Sequence, residues 1–502
     1  MVRRGLAVSA VSAVALALAG ATQAAELRVG HSSFPAALGN ALPDTSHSAG
    51  FTFFALYDTL TFGAAAGTEP RLATSWRNTS PTTWEMKLRP NVKFHNGKTF
   101  EASDVADLIA YMNGEEGKTK GANTFNNMTN VVGARAIDPG TVEIRTATPD
   151  AMLPAVIAIL KMYDMKYFRE AGWDNYGPRP IGTGPYRAVS WSQDRIEFAP
   201  FKEGWRPGKI DKMTFRNLPE LAARVQAFQS NQVDLAFQVV ADSKGSVELA
   251  GGRLHVSQAP QVLTLMIFQN KPGHPVADVR VRQALNHAVN RDAYIKNIMG
   301  GLTVPGGQPG ARSVNGYDPE LKPYAYDPEQ AKRLLSAAGF DKGLNLSGDV
   351  VVNVSELRDV YQQVAADLQR VGVNLTLNVI TLADLLQRVR DPSKFGDSTL
   401  FSFNFGSEPT MDIMRSINAL HSCNARTKWI CFQDIEPTIK AVNEEFDPAK
   451  RKQLLLQVAR YYRENAPAIF LHEEVQVDAV SNKVRGYNPV NRLVNWHEID
   501  LQ

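Results

Sequence analysis

Only two cysteines and nine histidines occur among the 502 residues. No Cys-x-x-Cys, His-Glu-x-x-His or Gly-x-Ser-x-Gly spacing is present, which removes the common zinc sites and the nucleophile elbow of hydrolases. An excess of one charge is missing too. Lys and Arg number 54 against 51 Asp and Glu, a net charge of +3, too small for a protein that binds a polyanion such as nucleic acid. Beyond the N-terminus no apolar stretch reaches the roughly 18 residues that a membrane-spanning helix requires. Charged residues at 21%, with 36 glycines and 28 prolines, are ordinary globular values, and they exclude a disordered or collagen-like chain. Repeats and low-complexity tracts are absent. What is left has room for two to four domains with sizeable cores.

The N-terminus departs from this balance. Arg3 and Arg4 precede an apolar run from Leu6 to Ala19, and the small residues Ala19-Gly20-Ala21 and Thr22-Gln23-Ala24 follow. Residues 1–24 therefore read as a secretory signal. Removing them leaves 52 basic against 51 acidic residues, a net charge of +1. No cysteine lies near the cleavage region to take a lipid. Cys423 and Cys431 suit an oxidising compartment. A bridge between them would close a short loop and add about 2.5 kcal/mol by chain entropy; two buried free thiols are the other reading.

From Glu26 onward strand and helix patterns alternate. Glu26–Gly30 reads as a strand, as does Thr83–Leu88, where Trp84, Met86 and Leu88 share a face. Helices are expected over 102–112 and 219–232, the second leading into a strand at 233–239. A buried strand is expected at 262–268 and a helix at 279–291. Asp327 and Pro328 start another helix as N-cap and first residue, and Gly339 ends it. Val360, Val364, Leu368 and Val371 stripe a helix, and Leu375, Leu377 and Val379 alternate on the strand after it. A long helix over 448–464 precedes a last strand from Ala468. The pattern is α/β, in at least two lobes.

Two motifs imitate nucleotide sites. Asn96-Gly97-Lys98-Thr99 ends like a phosphate loop, but Val92 stands where the leading glycine belongs, so a turn is expected. Gly182-Thr183-Gly184-Pro185 begins like a dinucleotide fingerprint, but Pro185 blocks the helix opening and no third glycine is in register. His472-Glu473-Glu474 lies on an expected strand, where neighbours face opposite sides, so it is a poor metal cluster. No catalytic set, metal site or cofactor motif emerges, and an exported α/β chain without one points to binding.

Several blocks then carry a resemblance. Leu56-Tyr57-Asp58-Thr59-Leu60, Pro70 to Trp76, and Leu88 to Lys98 followed by Ala102-Ser103-Asp104-Val105 form the first group. Ile181 to Tyr186, Val279 to Leu285 with Ala288 to Arg291, Asp447-Pro448 and Ala466-Pro467-Ala468-Ile469 continue it. In this order they resemble the extracellular solute-binding proteins of the dipeptide/oligopeptide class (family 5, cluster C), the receptors of ABC importers. The resemblance implies a two-lobed periplasmic-binding-protein fold of type II, with an extra subdomain inserted in the first lobe. By analogy the first lobe spans 26–260 plus 479–502, the insert 57–180 and the second lobe 261–478. It further implies a monomer in the periplasm without cofactor or nucleic-acid partner. Such a receptor captures a peptide or related amine-bearing solute between its lobes and delivers it to a permease, while separate subunits hydrolyse ATP. A nickel-chelate or haem receptor, and an exported hydrolase or chaperone on the same lobes, are the alternative readings.

Dipeptide receptors carry Gly-Trp, two residues, an Asp that binds the peptide ammonium, then Asp-Pro and Leu-x-Ser-Cys. Here Asn404-Phe405-Gly406-Ser407-Glu408, Asp412 and Leu420-His421-Ser422-Cys423 occupy that stretch. The resemblance therefore implies that Glu408 receives a ligand cation, with Phe405 in place of the Trp and Asp412 beside them. Ser355 and Arg358, in an expected loop after a strand at 349–354, lie where such receptors hold the carboxylate. Tyr186 and Phe34 are further cleft candidates. Export is expected to remove residues 1–24, and an intact mass of the secreted protein that lacks Arg3 and Arg4 checks this.

Overall fold

The computed structural model describes residues 25–64, 67–268, 273–352, 355–425 and 430–502; the leader at 1–24 lies outside the described residues. One mixed sheet of ten strands organises the chain. At one end Glu26–His31 lies between parallel neighbours Lys212–Asn217 and Leu235–Ala236, and Arg195–Pro200 and Tyr186–Trp191 complete that side. At the other end Leu344–Val351 lies between Val373–Ile380 and Leu400–Gly406, again in parallel. Parallel neighbours need a crossover. The helices Leu221–Gln229 and Ser355–Gln369 supply one at each end.

Two long strands, Gly252–Ile267 and Ala468–Ser481, join the ends. They pair antiparallel twice, Gly252–Gln258 against Val475–Ser481 and Val262–Met266 against Ala468–Glu473, with the register shifting between Gln258 and Val262. Pro260 sits in the gap and has no N–H to donate to a ladder. Beyond the shift, side chains alternate between faces as the two-residue period requires. Leu263, Leu265 and Ile267 enter one core with Leu285 and Val364, whereas Val262, Met266 and Phe268 enter the opposite core with Phe401 and Val458. The other end of the sheet has a larger core. It joins Leu27, Val29 and Phe215 to Met86 and Ile144 of a separate four-stranded sheet and to Trp496 and Ile499 near the C-terminus.

Most expected elements are present with shifted ends. The helix expected over 219–232 spans Leu221–Gln229, because the Arg224 guanidinium is spent on the carbonyls of Leu218, Pro219 and Gln238 at its edge. The strand after it shortens to Leu235–Ala236. The helix expected over 279–291 stops at Ala288, and Asn290 caps a new one, Arg291–Asn297, by accepting from the Ala293 N–H at 3.1 Å. Ser355 to Arg358, expected as a loop, form the first turn of a helix, since the Val360 stripe extends back to Leu357.

The two decoys have structural duties. Gly97, at φ 87°, makes the turn in which the Phe94 N–H donates to Lys98 O, and the Lys98 ammonium is spent on Asp104 and Asp164. Gly182 and Gly184 let the segment before the strand Tyr186–Trp191 lie against the end of the helix His47–Leu56, and a Cβ on Gly184 would stand 2.4 Å from the Leu56 carbonyl carbon. Backbone cannot yield as a side-chain tip does. Gly184→Ala is expected to destabilise the fold by about 3 kcal/mol, read from the urea midpoint.

Candidate functional site

A cavity of 820 Å³ opens beside the second half of the crossing strands. Leu357, Tyr361, Leu382, Leu385 and Val389 bring apolar surface to its lining, and Asn123, Asn126, Asn127, Asn418 and Asn424 bring amides. Gln261, Asn404 and Glu474 lie on three adjacent strands. Among the described lining residues Glu474 is the one acid, and Arg390 and Arg415 are the cations. A mostly apolar cleft with a few fixed polar groups, in the range of about 300–1,000 Å³, is the usual form of a small-molecule site.

An ion network underlies the acidic end. Arg492, from the C-terminal segment, donates two parallel hydrogen bonds to Glu408, Nε to Oε1 at 3.2 Å and Nη2 to Oε2 at 2.9 Å. Its Nη1 lies 3.7 Å from Glu474. Glu474 also accepts from Asn404 Nδ2 at 3.0 Å and from the Gln261 amide. Burial pushes the Glu408 carboxyl up, but Arg492 and His47 outweigh it and leave the group below the ordinary glutamate value. In Glu474 burial prevails over Arg492 and the two amides, so its pKa is raised. His47, bonded to Gln476 at 2.5 Å, is held near a pKa of about 4 by burial and by Arg492.

The structure distributes the expected site residues differently. Glu408 is committed to Arg492 and is not among the lining residues. Phe405 is buried in the core, stacked on His421 with centroids 4.7 Å apart and on Phe470 at 5.8 Å, because its position on the strand faces away from Asn404. Asp412 pairs with Arg451 at 2.6 Å and caps Met414 at 2.9 Å. Tyr186 is core, its hydroxyl accepting from the Ile210 N–H at 3.2 Å. Phe34 packs half-buried against His31, 5.6 Å away, and Arg358 is exposed on its helix. The Ser355 side chain lies outside the described residues.

Sequence reasoning missed the residues that do line the cavity. The amide-rich stretch Asn123 to Asn130 was a visible signal, and so was His472-Glu473-Glu474 once split by strand alternation. Glu474 faces the cavity while Glu473 pairs with Arg312 at 3.0 Å on the other side. Cys423 and Cys431 are joined in a disulfide with Cα atoms 4.8 Å apart. It ties down the segment that carries the lining residues Asn424 and Ala425.

A mixed sheet of ten strands therefore runs beside a cavity of solute size. Residues 67–426 match the bacterial extracellular solute-binding proteins, family 5, and the chain belongs to that family. It is similar to the glutathione-binding protein GsiB of Pectobacterium atrosepticum, 26% identical over 435 residues, which cover 84% of this chain and 83% of that one. Among solved structures it is similar to the substrate-binding protein CtaP of Listeria monocytogenes, with a TM-score of 0.84 at 19% identity over 95% of this chain and 99% of that one. The dipeptide-binding protein of Pseudoalteromonas sp. SM9913 with Met-Leu follows the same fold, with a TM-score of 0.79 at 18% identity over 95% and 100% of the two chains.

Removal of Arg492 leaves two buried carboxylates without their cation. Arg492→Ala is expected to cost about 3 kcal/mol at pH 7. Glu408, with a lowered folded pKa, contributes stability above the ordinary glutamate range and loses it as pH falls through the folded value. The deficit of the variant therefore shrinks on acidification, which denaturation at pH 7 and in mild acid would measure.

Proposed function

We propose that the chain is the periplasmic substrate-binding receptor of an ABC importer. Its cargo is a peptide or related amine-bearing solute, handed to a membrane permease while separate subunits hydrolyse ATP. The observation that carries this reading is the 820 Å³ cavity, whose walls come from the Asn123–Asn127 segment on one side and from the crossing strands and their neighbours on the other. Lobes spanning 26–260 with 479–502 and 261–478, with 57–180 inserted in the first, fit the separate cores on either side of the register shift. A ligand in contact with both sides shifts the population toward closure by as much as its differential contacts supply. The glutathione-binding and dipeptide-binding relatives support a peptide-like cargo.

Glu474 is proposed to receive the ligand's amine. Burial raises its proton affinity, so a cation that neutralises it removes a desolvation cost. Glu408 then acts behind it, holding Arg492 in place. Native mass spectrometry of the purified protein is expected to reveal a bound amine-bearing mass. A panel of dipeptides, tripeptides and glutathione should contain a binder that at 100 times its dissociation constant contributes about 2.7 kcal/mol in thermal denaturation. Glu474→Gln is expected to weaken that binder about tenfold, or 1.4 kcal/mol. A panel without any thermal shift would sink the peptide reading.

A further inference from the structure

Several arginines in this protein are met by carboxylates. Arg28 meets Asp234 at 2.7 Å, Arg451 meets Asp412 at 2.6 Å, and Arg206 is paired with Asp58. Arg291 has no carboxylate but donates to the carbonyls of Phe470, Asn286, Val289 and Tyr324. Arg415, unlike these four, lines the cavity. It forms no ion pair among the described residues, its Nη2 donates to Asn127 Oδ1 at 3.0 Å, and its buried Nε has no partner. The nearest acid that acts on it, Glu408, is already spent on Arg492.

Position adds a second argument. Arg415 and Asn127 both line the main cavity and also a smaller cavity of 200 Å³, so their hydrogen bond lies on the boundary that the two share with Asn126, Thr129, Asn418 and Ala419. The segment that carries Arg415 is held firmly. Asp412 caps Met414 at 2.9 Å while gripping Arg451, and Ser416 Oγ donates to Gly406 O at 2.8 Å. A guanidinium fixed in this way, with an unused donor, presents a preorganised fork for a planar oxyanion.

We infer that Arg415 is the anion-receiving residue of the cavity, and that it takes a free carboxylate of the ligand on the main-cavity side of its hydrogen bond with Asn127. The side is set by charge. Asp150 lines the smaller cavity, with its carboxylate accepting from Asn130 and from the Met152 N–H, and it would repel a second anion there. Arg390, the other cation of the main cavity, is exposed and therefore solvated. The ligand is then a molecule with an amine toward Glu474 and a carboxylate toward Arg415. This assignment rests on the peptide-receptor reading.

Binding of the dipeptides Met-Leu and Ala-Leu, each as the free acid and as the C-terminal amide, tests it by calorimetry on wild type, Arg415→Gln and Arg415→Lys. A free acid is expected to bind wild type at least tenfold tighter than its amide. Arg415→Gln should erase that ratio, and Arg415→Lys, which keeps the charge without the fork, should retain part of it. An unchanged thermal midpoint in either variant shows an intact fold. Equal binding of acid and amide to wild type, or an undiminished ratio in Arg415→Gln, overturns the assignment while the receptor reading stands. Failure of every probe to bind wild type overturns both.

Discussion

Everything in this protein hangs on two strands that run side by side through both halves of the molecule. Gly252–Ile267 and Ala468–Ser481 pair over most of their length, yet their ladder slips between Gln258 and Val262. Each half of the ladder is locked by its own core, because a one-residue slip would move every buried side chain to the wrong face. In the gap between them the backbone ladder is interrupted, and the Gln261 side chain reaches across to Glu474 instead. The cavity opens beside it, with Gln261 and Glu474 facing in from the gap itself.

That placement explains the electrostatics. A cavity between sheets needs fixed polar groups, and an unpaired charge there carries a desolvation cost. The protein lowers that cost by sharing one cation between two acids. Arg492 binds Glu408 in a two-pronged contact and stays 3.7 Å from Glu474. Glu408 is thereby settled, and Glu474 is left with amide donors and only part of a counter-charge. The network determines which acid stays available at the cavity, and its key member comes from a segment close to the C-terminus.

Local pattern carried much of the fold into view. Thr83–Leu88 and the Asp327 cap were legible because alternation and capping act within a few residues. Glu408 illustrates the limit for the site. Its chain position matched the ammonium-binding acid of related receptors, but nothing near it in sequence announces Arg492, 84 residues further on. Phe405 was placed one residue from the cavity. On a strand that interval turns a side chain from solvent to core, so Asn404 faces Glu474 while Phe405 stacks on His421. Glu474 sits in a triplet whose alternation is visible in the sequence, but nothing local tells which face of the strand opens on a cavity. Arg415 had no local signal, since its proposed role rests on its place in the cavity lining, which distant segments build.

The disulfide adds a consequence of timing. Cys423 and Cys431 pin a short loop whose residues Asn424 and Ala425 complete one wall of the cavity, and the Cys423 N–H is anchored on Glu436 at 2.7 Å. That covalent tie persists only where thiols are not kept reduced. While its thiols stay reduced the chain lacks that tie, so this wall is secured only once the bond between Cys423 and Cys431 has formed.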